Sequence, residues 1–353
     1  MWRKLRLVSI LLAGPAGACA PAASPGPGAP SPAAPAEEPP PAVVQPEAPA
    51  DVGKTPADSA TDLEARLVEL ARATRGPEPE LPPIKPFGVS WSPTPKEGHA
   101  FSIHLYERPT GRRPVTIEGE FAGHAVRFAR YGPRERWLGV GVVPIGRSDP
   151  DVLALRMHFA DGAVYEQTVR IAVEDTEFPS SALRVDPRYS SPPPDVLDRI
   201  RRESAMVAEL LGTVTPEWRL DGPFEPPRPM DVTAPFGQAR TFNGELRSRH
   251  TGLDLRGLTG ATVRTAGSGR VAFAGELYFA GNAVFVDHGL GVYTGYFHLS
   301  RILVEEGEDV STGEIVGEAG ATGRVTGPHL HWYLAVDGEA VDASSLLGMR
   351  LPD

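Results

Sequence analysis

The chain has 353 residues, a formal net charge of −10 and a single cysteine. That acidity, with no block of Lys or Arg to offset it, argues against a nucleic-acid partner, and a lone cysteine excludes a disulfide within the chain. The length exceeds one ordinary domain and predicts two folded units plus linkers.

At the N-terminus, Trp2-Arg3-Lys4-Leu5-Arg6 is a positive start, Leu7–Ala13 an apolar run and Ala16-Gly17-Ala18 a small-residue stretch. These are the parts of an export signal over residues 1–19, and the apolar run is too short for a permanent membrane helix. Cys19 follows A-G-A directly, which resembles a bacterial lipoprotein processing site. The expectation is a lipid anchor on Cys19 and an exported protein of the cell envelope, held to a membrane and facing the periplasm or cell wall. Ala16 stands where a larger aliphatic is usual, so plain signal-peptidase cleavage stays open. Residues 20–60 are rich in Pro and Ala and hold almost nothing that could bury a core, which predicts an extended tether. Thr61-Asp62-Leu63-Glu64 offers a capping box, and Leu63, Leu67 and Leu70 share a face up to Gly76-Pro77. A short helix over 61–76 follows.

From 83 to 178 the pattern changes to period two. Phe101/Ile103/Leu105, Val115/Ile117, Val126/Phe128 and Leu153/Leu155/Met157/Phe159 alternate with polar residues, and Asp161-Gly162 is a hairpin signal. Seven or so strands in about ninety residues suggest an immunoglobulin-like β-sandwich. His99, His104, His124 and His158 lie here without ligand spacing and read as structural or surface residues. Residues 179–229 form a helical connector. In it Leu197, Ile200, Val207 and Leu211 line one side of a helix over Asp195–Leu211, with charge on the other.

The third region, 230–348, carries the chemistry. His250-Thr-Gly-Leu-Asp254, Tyr296-Phe-His298-Leu-Ser and Gly327-Pro-His329-Leu-His331-Trp stand in short strand-like runs broken by glycine. Alternation along a strand puts His329 and His331 on one face, with Leu330 and Trp332 turned to a core. His250 and Asp254, four apart, can share a face on a helical turn or an extended strand, and Gly252 disfavours a helix interior. Two imidazoles and a carboxylate, with more histidine nearby, suit zinc, and a catalytic zinc site takes three protein ligands and leaves a position for water. His288 in D-H-G reads as structural; Tyr296 and Trp332 read as core.

These motifs resemble the lysostaphin-type (LytM-like, M23) zinc metallopeptidases: H-x-x-x-D, a His in H-L-S, then H-x-H, in that order. The resemblance runs from Thr233-Ala234-Pro235-Phe236-Gly237 to Leu347 and includes Arg240–Gly244, Asp287–Gly289 and the glycines from Gly313 to Gly320 ahead of Thr322-Gly323-Arg324. It implies zinc on His250, Asp254 and His331, with His298 and His329 assisting beside the metal, either one as the base. It implies peptidoglycan as substrate, cut at peptide bonds of the stem or cross-link. Some members of the family are instead non-catalytic activators of wall amidases, usually with metal ligands lost; all five residues are retained here. An envelope scaffold built on the sandwich would leave the histidines unexplained. The fold expected overall is mainly β: an immunoglobulin-like sandwich, then an antiparallel β-sheet peptidase domain, with short connecting helices.

Overall fold

A computed structural model describes residues 87–107, 113–134, 136–182, 194–242 and 245–351. The signal, Cys19, the tether and the helix over 61–76 lie outside the described residues. Among the described residues, no helix is long and apolar enough to cross a membrane.

The chain is mainly β and antiparallel. Its first seven strands are β1 (Phe87–Ser92), β2 (Ala100–Glu107), β3 (Pro114–Phe121), β4 (His124–Tyr131), β5 (Arg136–Val142), β6 (Asp151–Phe159) and β7 (Val164–Ile171). They pair in the order β1-β2-β5-β4-β3-β6-β7. β1-β2-β5-β4 and β3-β6-β7 follow the A-B-E-D and C-F-G orders of a seven-stranded immunoglobulin domain. Here the two leaves are joined, because β3 and β4 also pair as a hairpin. Alternation explains the fold of β6: Leu153, Leu155 and Met157 are buried while Val152, Ala154 and Arg156, which alternate with them, are exposed. Phe101 on β2 meets Phe121 on β3 edge to face at 5.3 Å. The core thus closes between the leaves.

β8 (Ser180–Ala182) follows, and after it comes the helix α1 (Pro194–Gly212). The remaining strands are β9 (Val232–Ala234), β10 (Ala239–Phe242), β11 (Glu245–Arg249), β12 (Gly252–Arg256), β13 (Thr262–Arg264), β14 (Gly269–Leu277), β15 (Gly281–Asp287), β16 (Val292–Ile302), β17 (Asp309–Val310), β18 (Ile315–Ala319), β19 (His329–Val336) and β20 (Glu339–Val341). A short 3₁₀ helix, Ala343–Gly348, ends the fold. The spine of the second sheet runs β17-β14-β15-β16-β19-β12-β9.

The two faces of that sheet have different covers. Leu253, Leu255, Tyr296, Leu299, Leu330 and Trp332 share one core with Ala100, Val140 and Val142 of the first sheet. On the other face, Phe285, Tyr293, Phe297 and Tyr333 pack under Val207 and Leu211 of α1. The connector helix therefore has its apolar stripe on the sheet, as its periodicity predicts. Residues 85–353 belong to one compact unit. Asp337, in the turn between β19 and β20, accepts from Arg127 Nη1 at 2.6 Å and from the Ala125 amide at 2.9 Å. Trp218 Nε1 donates to the Leu138 carbonyl at 3.1 Å. His99 and His124 lie in the same contact, His99 3.8 Å from Asp342 and His124 3.6 Å from Asp337.

Candidate metal centre

Antiparallel pairing places Asp254 on β12 opposite His331 on β19, and Arg256 opposite His329. With Leu253, Leu255, Leu330 and Trp332 committed to the core, Asp254, His329 and His331 must point to the other face. His250 sits just before β12, fixed by two backbone bonds: its amide donates to the Gln238 carbonyl and its carbonyl accepts from the Gly237 amide. The i, i+4 spacing is thus realised on extended chain and not on a helix.

Three donor atoms meet there. His250 Nε2 lies 2.9 Å from Asp254 Oδ1 and 3.0 Å from His331 Nδ1, which is itself 2.8 Å from Asp254 Oδ1. His250 Nδ1 donates to the Pro235 carbonyl at 2.8 Å. That bond fixes the tautomer and leaves the Nε2 lone pair aimed at the cluster. Lone pairs and a carboxylate crowded together in a buried pocket call for a cation or a proton between them, and this donor set fits a divalent metal of the zinc type. Among the described residues, these three are the group of His, Cys, Asp and Glu able to hold a metal. Burial opposes the charge on Asp254, but hydrogen bonds and charge from His250 and His331 outweigh it and hold the carboxyl well below its usual range. Burial pushes His331 down to about 4, so its ring is neutral near pH 7.

Gly252 makes the approach possible. A Cβ there would lie 2.3 Å from His331 Nε2 and 2.7 Å from the Trp332 carbonyl. The glycine of H-T-G-L-D is required for the closeness of two strands, beyond any disfavour toward helix.

His298 reaches the site by a different route. Strict alternation along β16 would send it inward with Tyr296, which is fully buried. The register instead slips: Val284 pairs with Tyr296 and Asn282 with Leu299, so β16 carries an extra residue at this point. His298 takes φ +63° in the bulge and turns to the metal face. Its Nδ1 donates to the Thr322 carbonyl at 2.9 Å, and its ring centroid is 5.0 Å from that of His329 and 5.8 Å from that of His331. His329 Nδ1 donates to the Gly327 carbonyl at 2.8 Å, with Nε2 3.5 Å from Asp254 Oδ1. Both rings therefore keep Nε2 as the free lone pair when neutral. Burial first, then the neighbouring His331 and His329, push His298 well below its ordinary value. Phe297 stacks on His331 with ring centroids 5.4 Å apart and completes the wall.

All five residues expected from the sequence are thus brought together. The motifs alone did not reveal the carbonyls of Pro235, Thr322 and Gly327 that set the tautomers. No side-chain signal marks a carbonyl, although Pro235 lies in the T-A-P-F-G stretch of the resemblance and the other two in the glycine loop before His329. His288 is elsewhere, bonded through Nδ1 to the Ser268 carbonyl and through Nε2 to Thr294. Tyr296 and Trp332 are both fully buried.

Residues 248–343 match peptidase family M23. The peptidoglycan DD-endopeptidase ShyA of Vibrio cholerae is 40% identical over 130 residues, which are 37% of this chain and 28% of that protein. The DD-carboxypeptidase/endopeptidase Mpg of Neisseria meningitidis is 38% identical over 115 residues, 33% of this chain and 26% of its own. The chain therefore spans about a quarter of the length of these curated relatives. A solved M23-type structure from Pseudomonas aeruginosa is similar at TM-score 0.55 and 26% identity, over 72% of this chain and 96% of that one. That share exceeds the M23 segment, so the likeness of fold extends beyond it.

Proposed function

We propose that this chain is a zinc-dependent endopeptidase that hydrolyses peptide bonds in peptidoglycan. The convergence of His250, Asp254 and His331 on one point, flanked by two further histidines in an M23-type segment, carries the reading. Relatives that share the segment are named for DD-endopeptidase activity on peptidoglycan, which supports a cross-link between stem peptides, of the D-alanyl–diaminopimelate kind, as the bond cut. His250, Asp254 and His331 would hold zinc, which supplies a Lewis acid for the scissile carbonyl and lowers the pKa of a water to near neutral.

The protein's own groups handle the proton. A general base must be unprotonated, and burial keeps His298 so. With Nδ1 committed to Thr322, its Nε2 accepts the proton of the attacking water. His329 has the same arrangement with Gly327, 3.5 Å from the carboxylate of Asp254. Once protonated, either ring donates to the departing amine or to developing negative charge on the carbonyl oxygen, where a preorganised donor is worth a few kcal/mol. Asp254 also acts through its charge, which offsets positive charge gathering among four imidazoles.

The proposed setting is the cell envelope. An export signal over 1–19 with lipid on Cys19 would hang the enzyme from a membrane, and residues 20–60, extended at about 3.1 Å each, would let it reach on the order of 120 Å into the wall. Cys19→Ser is expected to move the protein to the soluble fraction or leave it as precursor.

Metal analysis beside digestion of purified sacculi, with separation of the products, tests the activity. About one zinc per chain and release of muropeptides cut at the cross-link, both lost in Asp254→Ala, is the expected result. Zinc-loaded protein that leaves sacculi and soluble cross-linked muropeptides intact would overturn it.

A further inference from the structure

The turn between β14 and β15 is bonded on three sides. The Tyr278 amide donates to Glu203 Oε2 on α1 at 2.8 Å. The Phe279 carbonyl accepts from the Arg324 amide at 2.8 Å, and its ring lies 4.5 Å beneath the Arg324 guanidinium. The Ala280 carbonyl accepts from the His298 amide at 2.9 Å. One residue further on, Gly281 packs so closely on Thr322 that a Cβ would lie 2.3 Å from its hydroxyl. Thr322 supplies the carbonyl to which the His298 ring donates.

Both bonds that orient His298, one to its backbone and one to its ring, thus come from segments gathered by this turn. The histidine needs such a frame, because a non-glycine residue at φ +63° persists only where its surroundings over-determine it. Each connection of the turn has a different partner; toward the helix, Glu203 accepts from the Tyr278 amide, and the Arg199 guanidinium of the same helix lies 5.9 Å from the Tyr278 ring. The other carboxylate oxygen of Glu203 is held by Arg199 Nε at 2.6 Å, so the carboxylate is itself fixed in place.

We propose that Glu203, on a helix outside the metal centre, is a positioning residue that sets the orientation of His298 through the Tyr278–Ala280 turn. The inference rests on the reading of His298 as the group that takes the proton. A bland alternative is that Glu203 only pins α1 to the sheet. The two differ in where they act: positioning acts on the chemical step through one imidazole, whereas pinning acts on stability and leaves the folded enzyme's rate alone.

The experiment measures kcat, KM, zinc content and Tm of the full chain on a soluble cross-linked muropeptide, for Glu203→Ala, Glu203→Gln, His298→Ala and the double variant Glu203→Ala/His298→Ala. Small misplacements of a catalytic group lower rates steeply. Glu203→Ala should lower kcat by roughly 10- to 100-fold with KM within about twofold and zinc unchanged. Glu203→Gln, which keeps an acceptor for the Tyr278 amide, should restore most of it. In the His298→Ala background, Glu203→Ala should have no further effect, because the group it orients is gone. Wild-type kcat in Glu203→Ala beside a large loss in His298→Ala overturns the proposal, as does the same fold-loss from Glu203→Ala in both backgrounds. Full kcat in His298→Ala removes the reading of His298 and this inference with it. If Glu203→Ala fails to fold, Glu203→Asp, whose carboxylate is one methylene short of Tyr278, takes its place against Glu203→Gln.

Discussion

Protonation of His288 should govern a measurable part of the acid sensitivity of this fold. The ring is fully buried, gives its Nδ1 proton to the Ser268 carbonyl at 2.7 Å and accepts on Nε2 from Thr294 at 2.8 Å. Thr294 in turn contacts the Tyr296 hydroxyl at 2.9 Å, which is anchored by the Ala266 amide at 2.6 Å. The chain of bonds is complete with a neutral imidazole; a second proton has nowhere to go unless Thr294 turns round. Burial accordingly pushes the folded-state value down to about 4 from 6.5. Between those limits the unfolded chain binds the proton and the folded chain does not, so stability falls as pH drops from about 6.5 to about 4. A gap of that size corresponds to about 3 kcal/mol. His331 titrates in the same window, so the informative quantity is a difference between proteins. In chelator, urea unfolding of wild type and His288→Gln is followed from pH 7 to 4. The variant, neutral throughout, should start less stable yet lose about 3 kcal/mol less on acidification. Parallel pH profiles for the two proteins would refute the argument, whatever their absolute stabilities.

Ala at His250, Asp254 or His331 should each strip most of the bound zinc, measured by metal analysis after gel filtration; full occupancy in any one removes that residue from the ligand set. His298→Ala and His329→Ala should keep zinc while kcat falls roughly 10²- to 10⁴-fold on a soluble muropeptide, and metal loss in His329→Ala would make it a ligand. Gly252→Ala should destabilise by about 1–3 kcal/mol in urea unfolding and weaken zinc binding at least tenfold, because the new methyl collides with His331; unchanged zinc affinity would show that the strands can separate without disturbing the ligands.

Features that depend on period and motif were legible in the chain alone. The alternation of Leu153, Leu155 and Met157 in β6 and the apolar stripe of α1 follow from local periodicity. So does the shared face of His329 and His331. The resemblance carried by H-x-x-x-D, H-L-S and H-x-H implies five site residues, and the structure gathers all five. Other features depend on contacts between distant segments, which no local pattern records. The bulge that rescues His298 from the core face is a mismatch of one residue between β15 and β16, visible only once the strands are paired. The tautomers of His250, His298 and His329 are set by backbone carbonyls, which every residue carries and no residue type announces. His99 and His124, scattered and unremarkable in the chain, meet Asp342 and Asp337 only because the first sheet packs against the second. Glu203 belongs to the same class: on α1 it is one charge among several, and its bond to the Tyr278 amide exists only after the helix has docked. Periodicity decides which face a side chain takes; where the chain breaks that period, or where a backbone group is the partner, the packing of distant segments decides.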